Sequence, residues 1–262
     1  MIFLIYIIVG IFTGILSGWV GAGGGIIIVP VMLELTTGQG ISSELGMHLA
    51  VTTSLGFIMV NSLYTTFHHH RSKNLVIPLF KRIAIFAIIG ALVGGQLDKV
   101  IPTFWIKILF TVTIIGVFIQ SFLNRTGSLN QQPVYPGGLS RATMGVSVGV
   151  LASLVGVGGS AITNPYMLHH HYPMKKSAAM STALAFPMGL FAIASLLVSS
   201  VGLSGLPAGS LGYLYLPAFV GLLVGSFIGS PLGVMIVKRV PEKASVWLFR
   251  VVLLAVIMQM LV

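Results

Sequence analysis

The chain has 262 residues, of which 56% are hydrophobic and 7% charged. A soluble domain needs roughly a quarter charged residues to cover its surface, so this composition excludes one and calls for lipid as solvent. The net charge of +10 in so apolar a chain is read as loop charge that orients helices in a membrane, not as a nucleic-acid footprint. With no cysteine, disulfides, thiolate metal sites and a cysteine nucleophile are excluded as well.

Apolar stretches run in order over about 2–18, 24–33, 44–67, 75–97, 103–123, 142–155, 176–199, 211–237 and 244–262. Several reach the ~20 residues that cross a bilayer core. The first stretch lacks a basic flank, which speaks against a cleaved signal peptide. Residues 20–33, VGAGGGIIIVPVML, return as VGVGGSAITNPYML at 155–168, with eight of fourteen positions identical and an offset of 135. AVTTSL at 50–55 resembles AMSTAL at 179–184, and GALVGGQL at 90–97 resembles GSFIGSPL at 225–232. The chain is therefore read as two transmembrane repeats, 1–123 and 141–262, joined by a linker loop over 124–140 whose QQPVYPGG segment has turn chemistry.

Charge sets the orientation of the repeats. If each glycine-broken segment crosses the membrane once, the Lys and Arg residues divide six against seven and carry no signal. If each is a re-entrant hairpin, the second repeat is inverted. One face then collects Arg71, Lys73, Lys81, Arg82, Arg125, Arg141, Lys175, Lys176, Lys238, Arg239 and Lys243, and the other only Lys99 and Lys107. Eleven against two follows the positive-inside rule, with Arg250, inside the last helix, left out. Length agrees: residues 2–33 as one helix would be about 48 Å long, against a core of ~30 Å. The expected fold is all-α: a polytopic membrane protein of two inverted repeats. Each repeat is a glycine-tipped re-entrant or broken helical hairpin plus three transmembrane helices.

Unwound backbone at membrane depth must be buried in protein or line a wet cavity. Gly21, Gly23, Gly24 and Gly25 break the first segment; Gly156, Gly158, Gly159 and Ser160 break the second. A short helix starts after each break, and its first N–H groups carry the positive end of the helix dipole. Two such ends converging from opposite faces make an anion site. The competing reading is that the glycines only let helices approach closely. Pro30 and Pro165 on the short helices mark kinks or freed carbonyls. Thr52, Thr53 and Ser54 lie about 13 Å into the following helix, with Ser181 and Thr182 in the matching region of the second repeat. Their hydroxyls can donate to an oxyanion or bond between helices, and both readings stay open. Asn164 adds an amide whose counterpart is the apolar Val29. The candidate substrate-binding set is Gly23, Gly24, Gly25, Thr52, Thr53, Gly158, Gly159, Ser160, Asn164, Ser181 and Thr182.

The four acids, Glu34, Glu44, Asp98 and Glu242, fall at helix ends or loops, which argues against a cation substrate. Arg250 could attract an anion or snorkel to the basic face. The triplets His68–His70 and His169–His171 fall in loops on the basic face, read mainly as loop polarity, with metal or pH sensing as the alternative. Gly202-Leu203-Ser204-Gly205 superficially looks like a serine-hydrolase motif, with His48 on the same side. No repeat logic brings the two together, and the expectation is no enzyme.

The pattern GxxGxGGGxxxxP at 18–30, its weaker copy GVGGSAITNP at 156–165, and the TSL and TAL positions at 53–55 and 182–184 resemble the sulfite exporter TauE/SafE family. The resemblance covers nearly the whole chain, and Ser160 departs from the triple glycine. It implies a small polytopic carrier without cofactor, for sulfite, an organosulfonate or another sulfur-containing or organic anion. The expected location is a prokaryotic cell (inner) membrane, where the charge asymmetry puts both termini outside. The partners are the small anionic substrate and the lipid bilayer, with no nucleic acid; a homodimer is left open. An anion channel is the nearest alternative, an intramembrane serine hydrolase a distant one.

Overall fold

The computed structural model describes residues 2–20, 24–71, 73–123, 132–202, 205–237, 240 and 242–261. The first half contains α1 (Ile2–Val20), α2 (Gly25–Gly38), α3 (Ser43–Arg71), α4 (Ile77–Leu97) and α5 (Thr103–Leu123). The second contains α6 (Gly138–Val155), α7 (Ser160–His169), α8 (Met174–Ser199), α9 (Leu216–Val237) and α10 (Glu242–Leu261). A two-stranded antiparallel hairpin, β1 (Ser210–Leu211) and β2 (Leu214–Tyr215), precedes α9.

The described helices include six that are long and apolar enough to cross a membrane: α3, α4, α5, α6, α8 and α9. This is an all-α polytopic membrane protein. The membrane-length set differs in one respect from the expected three helices after each hairpin. It includes α6, the first arm of the second hairpin, while the apolar part of α10 is the shorter Val246–Leu261.

A second difference concerns residues 211–215, expected to be the start of a long apolar helix. Gly209 and Gly212 hold φ at +84° and +54°, and Pro217 in the first turn of α9 sets the helix start. The chain therefore turns back on itself before entering α9. The linker also ends earlier than expected, with α6 beginning at Gly138.

Both glycine-broken segments are helical hairpins. The Gln39 side-chain amide, just past α2, donates to the Tyr6 hydroxyl near the start of α1 at 3.3 Å. At the matching place in the second half, Ser140 on α6 and Tyr166 on α7 are joined hydroxyl to hydroxyl at 3.0 Å. Each short helix thus runs back beside the arm that led to it.

The halves interlock through glycine. α1 packs on α9 and α4 packs on α6, so the first and fourth helices of each half exchange partners. A Cβ at Gly10 would lie 2.4 Å from Leu222 O, and one at Gly225 2.1 Å from Ile7 O. In the other pair, a Cβ at Gly145 would lie 3.0 Å from Ile83 O, and one at Gly90 2.3 Å from Val146 O. Gly145 and Gly225 stand 135 residues after Gly10 and Gly90, so the same backbone contact is built twice. Contact this close, of a bare glycine against the backbone of the facing helix, is how helices gain packing energy where lipid removes the hydrophobic drive. α3 and α8 pack on each other at the centre. Large apolar side chains such as Phe12, Ile85, Trp105, Phe227 and Trp247 face outward, as lipid contact requires.

Candidate functional site

α6 ends at Gly156, whose φ of +70° is the left-handed cap that favours glycine. Gly158, at φ +78°, turns the chain again, and Gly159 caps α7. Gly159 has no side chain to accept from the first turn, and the first intrahelical donor is Thr163, bonded to Gly159 O at 2.9 Å. The N–H groups of Ser160, Ala161 and Ile162 precede it and are free to meet a ligand. Gly24 caps α2 in the same bare way.

The two tips meet beside the middle of α3. A Cβ on Gly25, the first residue of α2, would lie 2.4 Å from Gly156 O. Ser54 on α3 donates to that same carbonyl at 2.7 Å. Gly21 and Gly23 lie outside the described residues.

On one side of this junction lies a cavity of about 70 Å³. Its walls are Gly158, Gly159 and Ser160 from the tip, Ser181, Thr182 and Ala185 from α8, Ile58, Asn61, Ser62 and Thr65 from α3, and Ser17 from α1, with Val157. The volume admits a small ion or a few waters and is well below the ~300 Å³ at which drug-sized pockets begin. Among the described residues, no ionisable side chain lines it. The wall residues belong to the half of α3 that leads to Arg71 and the half of α8 that begins beside Lys175 and Lys176. The cavity therefore lies toward the basic end.

Hydrogen bonding sorts the donors. Asn61 donates from its amide to the Ser17 hydroxyl at 3.2 Å, leaving the Ser17 proton available. Ser62, Thr65, Ser181 and Thr182 donate back to carbonyls of their own helices at 2.8–3.0 Å and must turn to donate inward. Ser160, in the first turn of α7, has both its N–H and its hydroxyl to offer.

Of the residues picked from sequence, Gly158, Gly159, Ser160, Ser181 and Thr182 line the cavity. Gly24 instead packs on the Phe57 ring, and Gly25 on Gly156. Thr53 accepts the backbone N–H of Tyr215 at 3.2 Å, serving the β-hairpin. Its neighbour Thr52 is buried, with no partner for its hydroxyl among the described residues. Asn164 is occupied by Ser177, whose hydroxyl lies 3.1 Å from its side-chain oxygen. Arg250 neither faces the cavity nor reaches solvent alone: it donates to Ser121 O at 2.7 Å and stacks on Phe122. His170 sits against its own helix, its Nδ1 2.9 Å from Tyr166 O. The side chains of His68–His70, and Ser204, lie outside the described residues.

Sequence reading missed Ser17, Asn61, Ser62 and Thr65. For three of them a signal existed. Positions 58, 61, 62 and 65 form one helical stripe, and its polar members sit within an apolar span.

Comparison with known proteins agrees with this architecture. A probable membrane transporter protein of Haemophilus influenzae is 28% identical over 244 residues, covering 91% of this chain and 90% of that protein. One from Methanocaldococcus jannaschii is 27% identical, covering 90% and 87%. Bacillus subtilis YunE, also a probable membrane transporter protein, is 25% identical, covering 98% and 96%. The family model described as Sulfite exporter TauE/SafE matches residues 6–260. This helical membrane protein, with a polar cavity at its second glycine tip, thus belongs over nearly its whole length to the TauE/SafE family of membrane transporters.

Proposed function

We propose that the protein is a secondary carrier for a small oxyanion, most specifically sulfite or a small organosulfonate, bound in the cavity at the second hairpin tip. The observation that carries this reading is the wall chemistry. Hydroxyls, one amide and an uncapped helix N-terminus surround a space with no charged side chain among the described residues. Such a set holds an anion through oriented dipoles and releases it again, which a lysine or arginine would resist.

The two halves act as inverted repeats in this reading, with the basic end cytoplasmic and both termini outside. The exchanged α1–α9 and α4–α6 pairs support a two-fold relation between them. The paired Tyr6–Gln39 and Ser140–Tyr166 contacts support hairpins that enter from opposite ends. On the far side of the tips the β-hairpin fills the space above Thr53. A chamber placed on one side of a closed barrier favours alternating access over an open anion channel.

Proteoliposomes loaded on one side with labelled sulfite or a small organosulfonate test the reading. The expected result is saturable, exchange-capable flux that Ser160→Ala reduces. Flux that never saturates, or none for any small anion, would overturn it.

A further inference from the structure

Asp98 follows α4 and is 3% exposed. The site lies out of water at the negative end of the α4 dipole, where a cationic partner is favoured. Its Oδ2 lies 2.8 Å from His48 Nδ1 on α3. Apart from each other, neither atom has a polar partner among the described residues. His48 in turn stacks on Tyr213, ring centroids 4.8 Å apart, at the turn of the β-hairpin. Two residues on, the N–H of Tyr215 rests on Thr53, beside the Ser54 that holds the second hairpin tip.

We propose that His48 and Asp98 form a proton-binding latch that controls the β-hairpin, and through it access to the binding chamber from the end opposite the basic loops. With His48 protonated, an imidazolium meets the buried carboxylate, and the loop after α4 and the stacked hairpin are drawn onto α3. Loss of the proton leaves Asp98 with a neutral partner, and the hairpin lifts more readily. Imidazole is a side chain that can both take up and release a proton, which is what such a latch requires.

The other ionisable groups around the pair are few. Glu44 stands one turn before His48 on the same helix and is exposed; Lys99 follows Asp98 and is exposed; Tyr213 supplies the stacked phenol. The phenol is held above its ordinary range by burial and then by the charges of Asp98 and Glu44, so both acids are felt at the hairpin. Glu44 lies on the water side and can exchange its counter-charge with solvent ions, whereas Asp98 cannot.

What the latch serves rests on the transporter reading, but its test does not. Leu214 is 8% exposed and Leu211, its partner across the hairpin, 55%. Single cysteines at the two positions in the cysteine-free chain report hairpin lifting as a ratio of thiol-labelling rates, which cancels the pH dependence of the thiol itself. In detergent-solubilised full-length protein, the Leu214→Cys to Leu211→Cys ratio is expected to rise about fivefold or more from about pH 5.5 to about pH 8. His48→Gln and Asp98→Asn should each flatten that dependence. A flat ratio with the native pair in place would overturn the latch, whether or not the variants fold. So would a pH dependence that survives His48→Gln. A pH-dependent ratio in a protein that carries no anion would leave the latch standing and remove the transporter reading; anion flux with a flat ratio would do the reverse.

Discussion

Ser54 donates its hydroxyl hydrogen to the carbonyl oxygen of Gly156, tying the middle of α3 to the tip of the second hairpin across 102 residues of sequence. The carbonyl belongs to the left-handed residue that ends α6, and the bare backbone of Gly25 crowds it from the other tip. Three elements from two repeats therefore share one buried oxygen. Ser54→Ala leaves that acceptor unsatisfied in a dry site, at a cost of about 1–3 kcal/mol. Thermal unfolding in detergent should show the loss, and an unchanged midpoint would mean that water replaces the hydroxyl.

The exchanged helix pairs make a symmetric expectation. A methyl at Gly149 would sit 2.1 Å from Ala87 O, and one at Gly229, in the other exchanged pair, 2.1 Å from Ile11 O. Neither backbone can yield without moving a whole helix, so Gly149→Ala and Gly229→Ala should each destabilise by about 1–3 kcal/mol, the usual toll of overpacking. At Gly116 a methyl meets nothing within 4 Å. Gly116→Ala should instead stabilise by about 0.5–1 kcal/mol, as alanine does in a helix interior. Unfolding curves for the three variants separate crowding from a general intolerance of substitution.

Much of this arrangement was legible because it is written in composition and repetition. The offset of 135, the charge asymmetry and the excess length of residues 2–33 all pointed to hairpins, and the Tyr6–Gln39 and Ser140–Tyr166 contacts place the arms side by side. What one helix does to another was harder to read. The glycines at 90 and 94 were visible as a repeated pattern, but spacing does not say which helix they face. Thr53 and Thr182 look equivalent in sequence. One is taken by a backbone N–H 162 residues away, while the other lines the cavity, because only the second half carries a β-hairpin after its third helix. Asn61, Ser62 and Thr65 had a helical period of their own, overshadowed by the denser hydroxyl run at 52–54.

The cavity wall makes a graded expectation for binding. Ser160→Ala and Thr182→Val each remove one neutral donor, worth about 0.5–1.5 kcal/mol, or roughly a three- to tenfold rise in the half-saturating anion concentration. Asn61→Asp puts a carboxylate into a space with no counter-cation and should abolish anion binding. Asn164→Ala, at a residue that lies outside the cavity walls and accepts from Ser177 through its side-chain oxygen, should leave the half-saturating concentration unchanged. Equal effects at Asn164 and Ser160 would place the ligand further down α7.

Arg250 offers a contrast between charge and geometry. Its guanidinium donates from Nε to the Ser121 hydroxyl at 3.2 Å and from Nη2 to the Ser121 carbonyl, while its Cζ lies 3.8 Å from the Phe122 ring centre. It clamps α10 to the end of α5. Lysine keeps the charge but has neither the fork nor the flat face. Arg250→Lys should therefore lower the unfolding temperature almost as much as Arg250→Met, and both should keep the anion affinity of the parent. Loss of affinity in the methionine variant alone would instead place the positive charge in the transport path.

Alkaline titration tests the burial of the hairpin. The Tyr213 hydroxyl is held above the ordinary phenol value of 10.0, first by burial and then by the negative charges of Asp98 and Glu44. The unfolded chain releases this proton at lower pH than the folded one. Its contribution to stability is thus complete below pH 10 and declines as pH rises from there through the folded value. Tyr213→Phe keeps the ring and its stacking on His48 but has no proton to lose. Between pH 9 and pH 11 the parent should lose more thermal stability than the variant, beyond the loss both suffer as lysines discharge. Parallel losses would mean that Tyr213 meets solvent in the folded protein, and that the hairpin does not close over α3.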